Sequence, residues 1–291
     1  MLAPAMKTTR ALCLPAALGL LALAVAAPAA PAPRPPRAAA VAGRVESFVL
    51  FDSTYQRPRR LWVYTPPGYD AKRATPYPLI VAFDGAAYVE ELPLPHVLDS
   101  LLAAGRAPAF VAVLVDDSTG AARLADLANA PRMVELLARQ IVPWVRGRRH
   151  VTSDPARTIV TGSSAGGLAA GFVAFSRPDL FGNVWSQSGA FWRGADSSNG
   201  APWEWLTHGI QTAPRRPVRF VLEVGSRETI RTLGGAGPVF IEAHRRFRDA
   251  LAAKGYEVTC TEIPGGVHSP EVWRTRLAGG IVTLAAGWPR P

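Results

Sequence analysis

Residues 157–168 read RTIVTGSSAGGL, and this stretch decides how the rest of the chain is interpreted. A β-branched apolar run ends there in the pattern Gly-x-Ser-x-Gly and passes at once into an alanine-rich helical segment. In such a strand–turn–helix, a strained turn holds the central serine, Ser164, at the tip of the strand. Gly162 and Gly166 lack the side chains that would collide in that turn. The stretch therefore predicts a nucleophilic Ser164, with the free amide of Ala165 as half of an oxyanion hole.

Around this turn, predicted strands and helices alternate along the chain. Besides the strand that leads to Ser164, the residue patterns predict strands over 44–51, 59–64, 77–83, 109–115, 183–187, 217–224 and 256–263. Besides the helix that follows Ser164, they predict helices over 95–106, 131–148 (with a kink at Pro143), 239–254 and 270–286. This alternation predicts an α/β fold, with a doubly wound, mostly parallel sheet and helices on both faces.

The chain of 291 residues is long enough for one large domain, which we assign to residues 41–291. Residues 1–40 are interpreted as a signal peptide and a Pro/Ala-rich leader, because Lys7 and Arg10 precede an apolar run over 11–27 and small-residue sites follow it. A transmembrane anchor is the alternative, but the alanine content and the trailing small residues favour cleavage. We therefore expect an exported protein, periplasmic or secreted, without a stable membrane anchor.

Charge and cysteine usage narrow the expected partners. The formal net charge is +10, and the basic residues occur in short groups without a nucleic-acid-binding motif. They predict a solvated basic surface or, alternatively, the steering of anionic substrates, and no nucleic-acid partner. Because Cys13 lies in the leader, Cys260 is the single cysteine left in the expected mature chain. We therefore expect no intramolecular disulfide and no cysteine-based zinc site. The residue patterns predict no other metal site and no cofactor.

A serine nucleophile needs a histidine to take its proton and an acid to orient that histidine. On sheets of this type the acid and then the base follow the serine along the chain. His268 is the histidine that follows a predicted strand directly in a turn, so it is the predicted base. Glu228 lies in the loop after the preceding strand and is the predicted acid, while Glu223 is its rival. A Ser–His dyad without a strong acid is a further alternative.

The second oxyanion donor is expected where the strand over 77–83 ends, at the sequence Asp84-Gly85-Ala86-Ala87. In serine hydrolases this loop supplies a backbone amide to the developing negative charge. We therefore predict that the amide of Gly85 or Ala86 acts together with that of Ala165.

Five segments together resemble the enterochelin (enterobactin) esterases, which belong to the esterase D-like branch of the α/β-hydrolases. The segments are 82–85 (AFDG), 162–167 (GSSAGG), 185–192 (WSQSGAFW), 222–228 (LEVGSRE) and 265–268 (GGVH). The resemblance runs from about Leu61 to Leu284. It implies the α/β-hydrolase fold and hydrolysis of ester bonds in a catecholate siderophore, with Ser164, Glu228 and His268 at the triad positions.

Two departures from this family qualify the substrate. The chain resembles a single-domain, exported type rather than the cytoplasmic members, which carry an extra N-terminal domain. The usual Gly-Gly-His-Asp turn is altered, since Val267 is inserted before the histidine and Ser269 follows it. Feruloyl and acetyl-xylan esterases, S-formylglutathione hydrolases and mycolyltransferases share the scaffold, so hydrolysis of other esters or acyl transfer is an alternative.

The expected substrate is a small ester with aromatic and anionic character. Trp185, Trp192, Trp203 and Trp205 could offer stacking faces, and Arg193 and Arg227 counter-charge. Ser188 completes the predicted substrate-binding set. Residues 192–214 show little periodicity and are predicted to form a lid or a pocket wall. The alternatives are that the tryptophans simply pack in the core, or that the protein binds an aromatic or glycan ligand without catalysis.

Overall fold

The computed structural model describes residues 42–117, 120–128, 130–194 and 203–289. The predicted signal peptide and leader lie outside these residues. The strands are β1 (Arg44–Asp52), β2 (Arg57–Thr65), β3 (Leu79–Ala82), β4 (Val111–Val115), β5 (Thr158–Ser163), β6 (Asn183–Gln187), β7 (Arg219–Gly225) and β8 (Glu257–Ile263). The helices are α1 (Gly85–Glu90), α2 (Leu94–Ala103), α3 (Gly120–Ala128), α4 (Ala130–Leu136), α5 (Val142–Arg146), α6 (Ala165–Ser176), α7 (Trp205–Thr212), α8 (Phe240–Ala253) and α9 (Pro270–Leu284).

The described strands form one eight-stranded sheet in the order β1-β2-β4-β3-β5-β6-β7-β8. β1, β2 and β4 pair in antiparallel fashion, whereas β4, β3 and β5 to β8 are parallel. The central strands are buried on both faces, as their continuous apolar sequences require. The predicted doubly wound, mostly parallel sheet is confirmed.

Helices cover both faces of the sheet with separate hydrophobic cores. On one face, side chains of α3 to α8 pack in the larger core around Phe191, Phe220 and Phe247. On the other face, α1, α2 and α9 pack around Tyr64, Trp185 and their apolar neighbours. Because all six parallel strands point the same way, their carboxyl ends share one edge of the sheet, where a ligand site is expected.

Four helical segments differ from the sequence prediction. The predicted helix over 131–148 is divided by a wide π turn over Leu137–Ile141. Pro143 lacks an N–H for the normal helical bond, and the backbone widens in the turn before it. α1 and α3 were not predicted. α7 lies in the stretch 192–214 that was predicted to be irregular, and residues 195–202 of that stretch lie outside the described part of the chain.

The two edges of the sheet are β1 and β8. β1 exposes Val45, Val49 and Phe51 on one face, as an edge strand with one solvated face does. β8 carries Cys260, which is half-buried, and burial raises the pKa of this thiol to about 11.

The described helices include none long and apolar enough to span a bilayer.

His244 of α8 is a fully buried imidazole outside the catalytic chemistry described below. It packs against Phe191, with ring centroids 5.3 Å apart, and neither ring nitrogen has a hydrogen-bond partner among the described residues. Burial lowers the pKa of His244 to about 4, although Glu228 and Glu262 oppose the shift. The unfolded chain therefore binds a proton at this residue between about pH 6.5 and 4, where the folded chain does not.

Stability should therefore fall as the pH is lowered through that window, and His244→Leu should remove this part of the loss. We expect the wild-type protein to lose about 2 kcal/mol more unfolding free energy than the variant between pH ~7 and pH ~5. Urea titrations of both proteins at the two pH values measure the difference. Identical pH dependence in both proteins would contradict the assignment.

Candidate active site

Ser164 lies in a sharp turn between β5 and α6. Its backbone has a positive φ, with φ 56° and ψ −118°, a strained conformation for a residue other than glycine. A Cβ on Gly162 would lie 2.6 Å from the carbonyl carbon of Gly166, so only glycine fits at this crossing of the backbone. The amide of Ser164 donates to the Gln187 carbonyl at 2.9 Å, which ties the turn to the end of β6. The turn therefore presents the Ser164 hydroxyl at the carboxyl edge of the sheet.

The structure brings Ser164, His268 and Glu228 together at this edge. Nε2 of His268 lies 3.0 Å from Oγ of Ser164, and Nδ1 of His268 lies 2.6 Å from Oε2 of Glu228. Glu228 follows β7 and His268 follows β8, so two neighbouring strands deliver the acid and the base. With the proton on Nδ1, the imidazole donates to the carboxylate and can accept the serine proton at Nε2.

Glu228 is buried, and its carboxylate accepts several hydrogen bonds. The Ser188 hydroxyl donates to Oε1 at 2.6 Å, and the Gly225 amide donates to the same oxygen at 2.7 Å. Burial raises the pKa of Glu228, but the hydrogen bonds from His268, Ser188 and Gly225 outweigh it and hold that pKa below its usual value. The carboxylate therefore stays ionised at neutral pH.

Ser188 was predicted to bind substrate, and the structure places it elsewhere. Its side chain is fully buried behind Glu228, and it accepts a hydrogen bond of 2.9 Å from the Trp273 indole. Ser188 therefore links helix α9 to the acid, and it lines neither of the two cavities described below.

The rival acid, Glu223, points to the other side of β7. It is 2% exposed and accepts hydrogen bonds from the Trp185 indole at 3.1 Å and from Nε of Arg276 at 3.0 Å. Burial raises the pKa of Glu223, although these hydrogen bonds oppose the shift. Trp185 is itself 1% exposed, so it packs in the core and offers no stacking face to a substrate. The geometry thus favours Glu228 over Glu223 as the partner of His268.

The candidate oxyanion amides lie at the starts of α1 and α6. The first amides of a helix have no intrahelical acceptor, which leaves those of Gly85, Ala86 and Ala165 available. Ala86 and Ala165 line cavities that also reach Ser164. Gly85 instead packs against the backbone of β4, since a Cβ there would lie 2.7 Å from the carbonyl carbon of Leu114. Of the two residues predicted at the end of β3, Ala86 is therefore the better placed.

Asp84 anchors the start of α1 through a buried network of charges. Its backbone is left-handed (φ 55°), and its carboxylate receives both Nε and Nη2 of Arg123, the latter at 2.6 Å. Its amide donates to Asp117 at 2.6 Å, and Asp117 in turn faces Arg59 at 3.4 Å. Burial and the nearby Asp84 raise the pKa of Asp117 well above its usual value. This network fixes the chain just before the candidate oxyanion amides.

Asp84→Asn should therefore lower kcat more than it changes KM. Asparagine tolerates the left-handed backbone but loses the ion pair with Arg123, so the α1 amides would be less well positioned. We expect a loss in kcat of about tenfold with KM within about threefold, measured with a p-nitrophenyl ester. Glu135→Gln, which breaks the exposed Glu135–Arg139 ion pair, is the control and should leave kcat unchanged. A lower melting temperature with unchanged kcat would assign Asp84 to stability alone.

Ser164 and His268 lie between two cavities. The first, of about 450 Å³, has the charged residues Glu91, Asp116 and Arg123 in its lining. The second, of about 580 Å³, is largely apolar and contains the predicted substrate-binding residues Trp192, Arg193 and Arg227. The remaining lining of the second cavity includes Leu124, Ile230, Leu233, Phe240 and Val267.

The other predicted aromatic residues do not line either cavity. Trp205 packs against Phe172 with ring centroids 4.7 Å apart, and Trp203 lies 6.2 Å from Trp192. Among the predicted tryptophans, Trp192 alone lines a cavity that reaches Ser164. Packing is therefore the role of Trp185 and Trp205.

Sequence reasoning missed Arg123 and Trp273. Arg123 lies on the unpredicted α3, although the spacing of Leu124 and Leu127 there fits one apolar helix face. Trp273 was assigned only to the closing helix, and its bond to Ser188 depends on packing that no local pattern reveals. In the described part of the chain, no group of three or more His, Cys, Asp or Glu side chains is arranged to hold a metal ion.

Comparisons with known proteins agree on one family. Residues 53–284 match the family described as "Putative esterase". The chain is 32% identical over 243 residues to the iron(III) enterobactin esterase of Dickeya dadantii, a match that covers 79% of this chain and 52% of that protein. It is 29% identical over 232 residues to the iron(III) enterobactin esterase of Escherichia coli K12, covering 79% of this chain and 54% of that protein. The chain thus spans about half the length of the curated relatives it matches.

Solved structures of two kinds of esterase superpose on this chain. The enterobactin esterase of Shigella flexneri, solved in the presence of enterobactin, superposes with a TM-score of 0.71 at 26% identity, covering 83% of this chain and 58% of that one. A ferulic acid esterase from Anaeromyces mucronatus shares the fold, with a TM-score of 0.68 at 18% identity, covering 86% of this chain and 94% of that one.

Proposed function

The chain belongs to the esterase family, and from this premise we propose that it is a serine carboxylic ester hydrolase that works through an acyl-enzyme. The observation that carries the proposal is the unbroken hydrogen-bonded line from Ser164 through His268 to Glu228, with separations of 3.0 and 2.6 Å. A packing arrangement has no need of a serine in a strained turn facing an imidazole. The proposal therefore accounts for both the strain and the alignment.

In the first half-reaction, Oγ of Ser164 attacks the ester carbonyl as Nε2 of His268 takes its proton. The imidazolium formed is stabilised by the ionised Glu228, which also holds the proton on Nδ1. The negative charge that develops on the carbonyl oxygen is met by the amides of Ala165 and of the first turn of α1. His268 then gives its proton to the departing alcohol.

In the second half-reaction, water takes the place of the alcohol. His268 removes a proton from the water, which attacks the acyl-serine, and then returns that proton to Ser164 as the carboxylic acid leaves. No group beyond those already named is needed for this cycle. If an alcohol entered instead of water, the same steps would transfer the acyl group, which is the alternative reaction.

The proposed substrates are esters of a catecholate siderophore of the enterobactin type. Two observations support this choice: relatives of about 30% identity are iron(III) enterobactin esterases, and the apolar cavity beside Ser164 holds arginine side chains. Esters of feruloyl type are the alternative. Export to the periplasm or the medium is part of the proposal and follows from the composition of residues 1–40.

Turnover of ferric enterobactin and of ethyl ferulate, measured side by side, tests the proposal. We expect a higher kcat/KM for ferric enterobactin and covalent labelling of the protein by a fluorophosphonate probe. A higher kcat/KM for ethyl ferulate would make an ester of feruloyl type the substrate, and the proposed acyl-enzyme mechanism would stand. A protein that neither labels nor hydrolyses either ester would be a binding protein, and the proposed function would be wrong.

A further inference from the structure

Arg193 is a buried cation in the wall of the apolar cavity. Arg193 is 6% exposed, and its Nε has no hydrogen-bond partner among the described residues. The guanidinium lies 5.4 Å from the ring of Trp192. Burial, together with the charge of Arg123, lowers the pKa of Arg193. A buried charge of this kind is costly unless an anion accompanies it.

Two half-buried arginines outside this cavity already have acidic partners, whereas Arg227, which also lines the cavity, is exposed. Arg123 is paired with Asp84, and Arg276 is paired with Glu223. Glu228 also lines the cavity. Its carboxylate, however, already accepts hydrogen bonds from His268, Ser188 and Gly225. No ion pair joins Arg193 to an acidic side chain of the described residues. The cavity therefore contains one buried positive charge that the described residues do not neutralise.

The cavity around Arg193 has a mainly apolar lining. The described residues include seven exposed large hydrophobic side chains, and four of them line this one cavity. These four are Leu124, Ile230, Leu233 and Val267. Their gathering at one opening is what a ligand with an apolar body would require. The opening and the buried cation therefore point to a single kind of occupant.

We infer that Arg193 is the anion-binding residue of this cavity, and that the protein selects esters in which an apolar body carries an acidic group. The inference rests on the proposed function, because the same cavity opens on Ser164. The apolar side chains would bind the body of the substrate, and the guanidinium would bind its carboxylate or comparable anion in a charge-assisted hydrogen bond. Arg227 lines the same cavity but is exposed, so solvent screens its charge and its contribution is smaller.

Binding to the Ser164→Ala protein tests this inference without requiring hydrolysis. Isothermal titration with 3-phenylpropionate and with its neutral analogue 3-phenylpropionamide compares an acid and an amide of the same shape. We expect the acid to bind about tenfold more tightly, and this preference to vanish when Arg193→Met is added. Arg193→Lys should keep part of it. Arg216→Met removes an exposed arginine before β7, at the opposite end of the strand from Glu228, and should leave the preference intact.

Equal binding of acid and amide to the Ser164→Ala protein, or no measurable binding of either, would overturn the inference. So would a preference that persists in the Arg193→Met protein. If Arg193→Met does not fold, the acid-to-amide ratio of the parent protein and of Arg193→Lys still decides the matter. Hydrolysis of p-nitrophenyl butyrate by the wild-type protein is measured separately. Its absence would refute the proposed function, whereas the anion preference would stand.

Discussion

Replacing Ser164 with alanine is expected to lower ester turnover by about 10⁴- to 10⁶-fold, to a residual rate set by binding and the oxyanion amides. The expectation follows from the turn that presents the hydroxyl and from the 3.0 Å separation from Nε2 of His268. Alanine leaves His268 and Glu228 in place but removes the only atom that forms the acyl-enzyme in the proposed reaction. Initial rates with p-nitrophenyl butyrate, at equal protein concentration, measure the loss.

The neighbouring Ser163→Ala variant is a matched control for Ser164→Ala. Ser163 is the last residue of β5 and is buried, so its replacement deletes a hydroxyl one position away without touching the hydrogen-bonded line. We expect its turnover to stay within about threefold of wild type, since it takes no part in the proposed steps. Near-native turnover by Ser164→Ala would refute the proposed mechanism. An equal loss in both variants would indicate that the turn itself had been disturbed.

Glu228→Gln should be the second most damaging substitution, with a loss in kcat of about 10³- to 10⁴-fold. The amide keeps the size of the side chain and its place behind His268. It removes the negative charge that stabilises the imidazolium, and it can present an N–H to Nδ1, which would favour the wrong tautomer. Single-turnover measurements with a p-nitrophenyl ester separate this chemical step from product release.

Glu223→Gln is the matched control, because Glu223 is the other buried glutamate of β7 and its loop. It would break the ion pair with Arg276 and leave that cation partly unpaired, at a cost of roughly 3 kcal/mol in stability. We expect its turnover to stay within about tenfold of wild type, since Glu223 touches neither His268 nor Ser164. If Glu223→Gln lost more activity than Glu228→Gln, the assignment of the acid would have to be reversed.

The sheet could be predicted from the sequence because its strands are short, apolar and separated by clear turns. The chain order of nucleophile, acid and base also narrowed the candidates for these roles to Ser164, to Glu228 or Glu223, and to His268. Glu223 stayed open because the sequence does not tell which side of β7 its side chain takes. The structure shows the Trp185 indole and Arg276 on that side.

The roles of Ser188 and Arg123 could not be predicted, and for two different reasons. Ser188 has a left-handed backbone (φ 46°), which turns its hydroxyl under Glu228, and no residue pattern announces such a conformation for serine. Arg123 depends on α3, a nine-residue helix without an acidic first turn or a basic last turn. Helices this short take their stability from tertiary packing, which a local pattern does not contain.

The placement of His268 also bears on how the protein fails when it is heated. His268 lies in the loop after β8, and among the described strands β8 pairs with β7 alone. Edge strands with half-exposed side chains open locally at a lower free energy than the interior of a sheet. Fraying of this one strand would carry the base away while the remaining seven strands stay folded. Thermal inactivation would then set in below the temperature at which the domain melts.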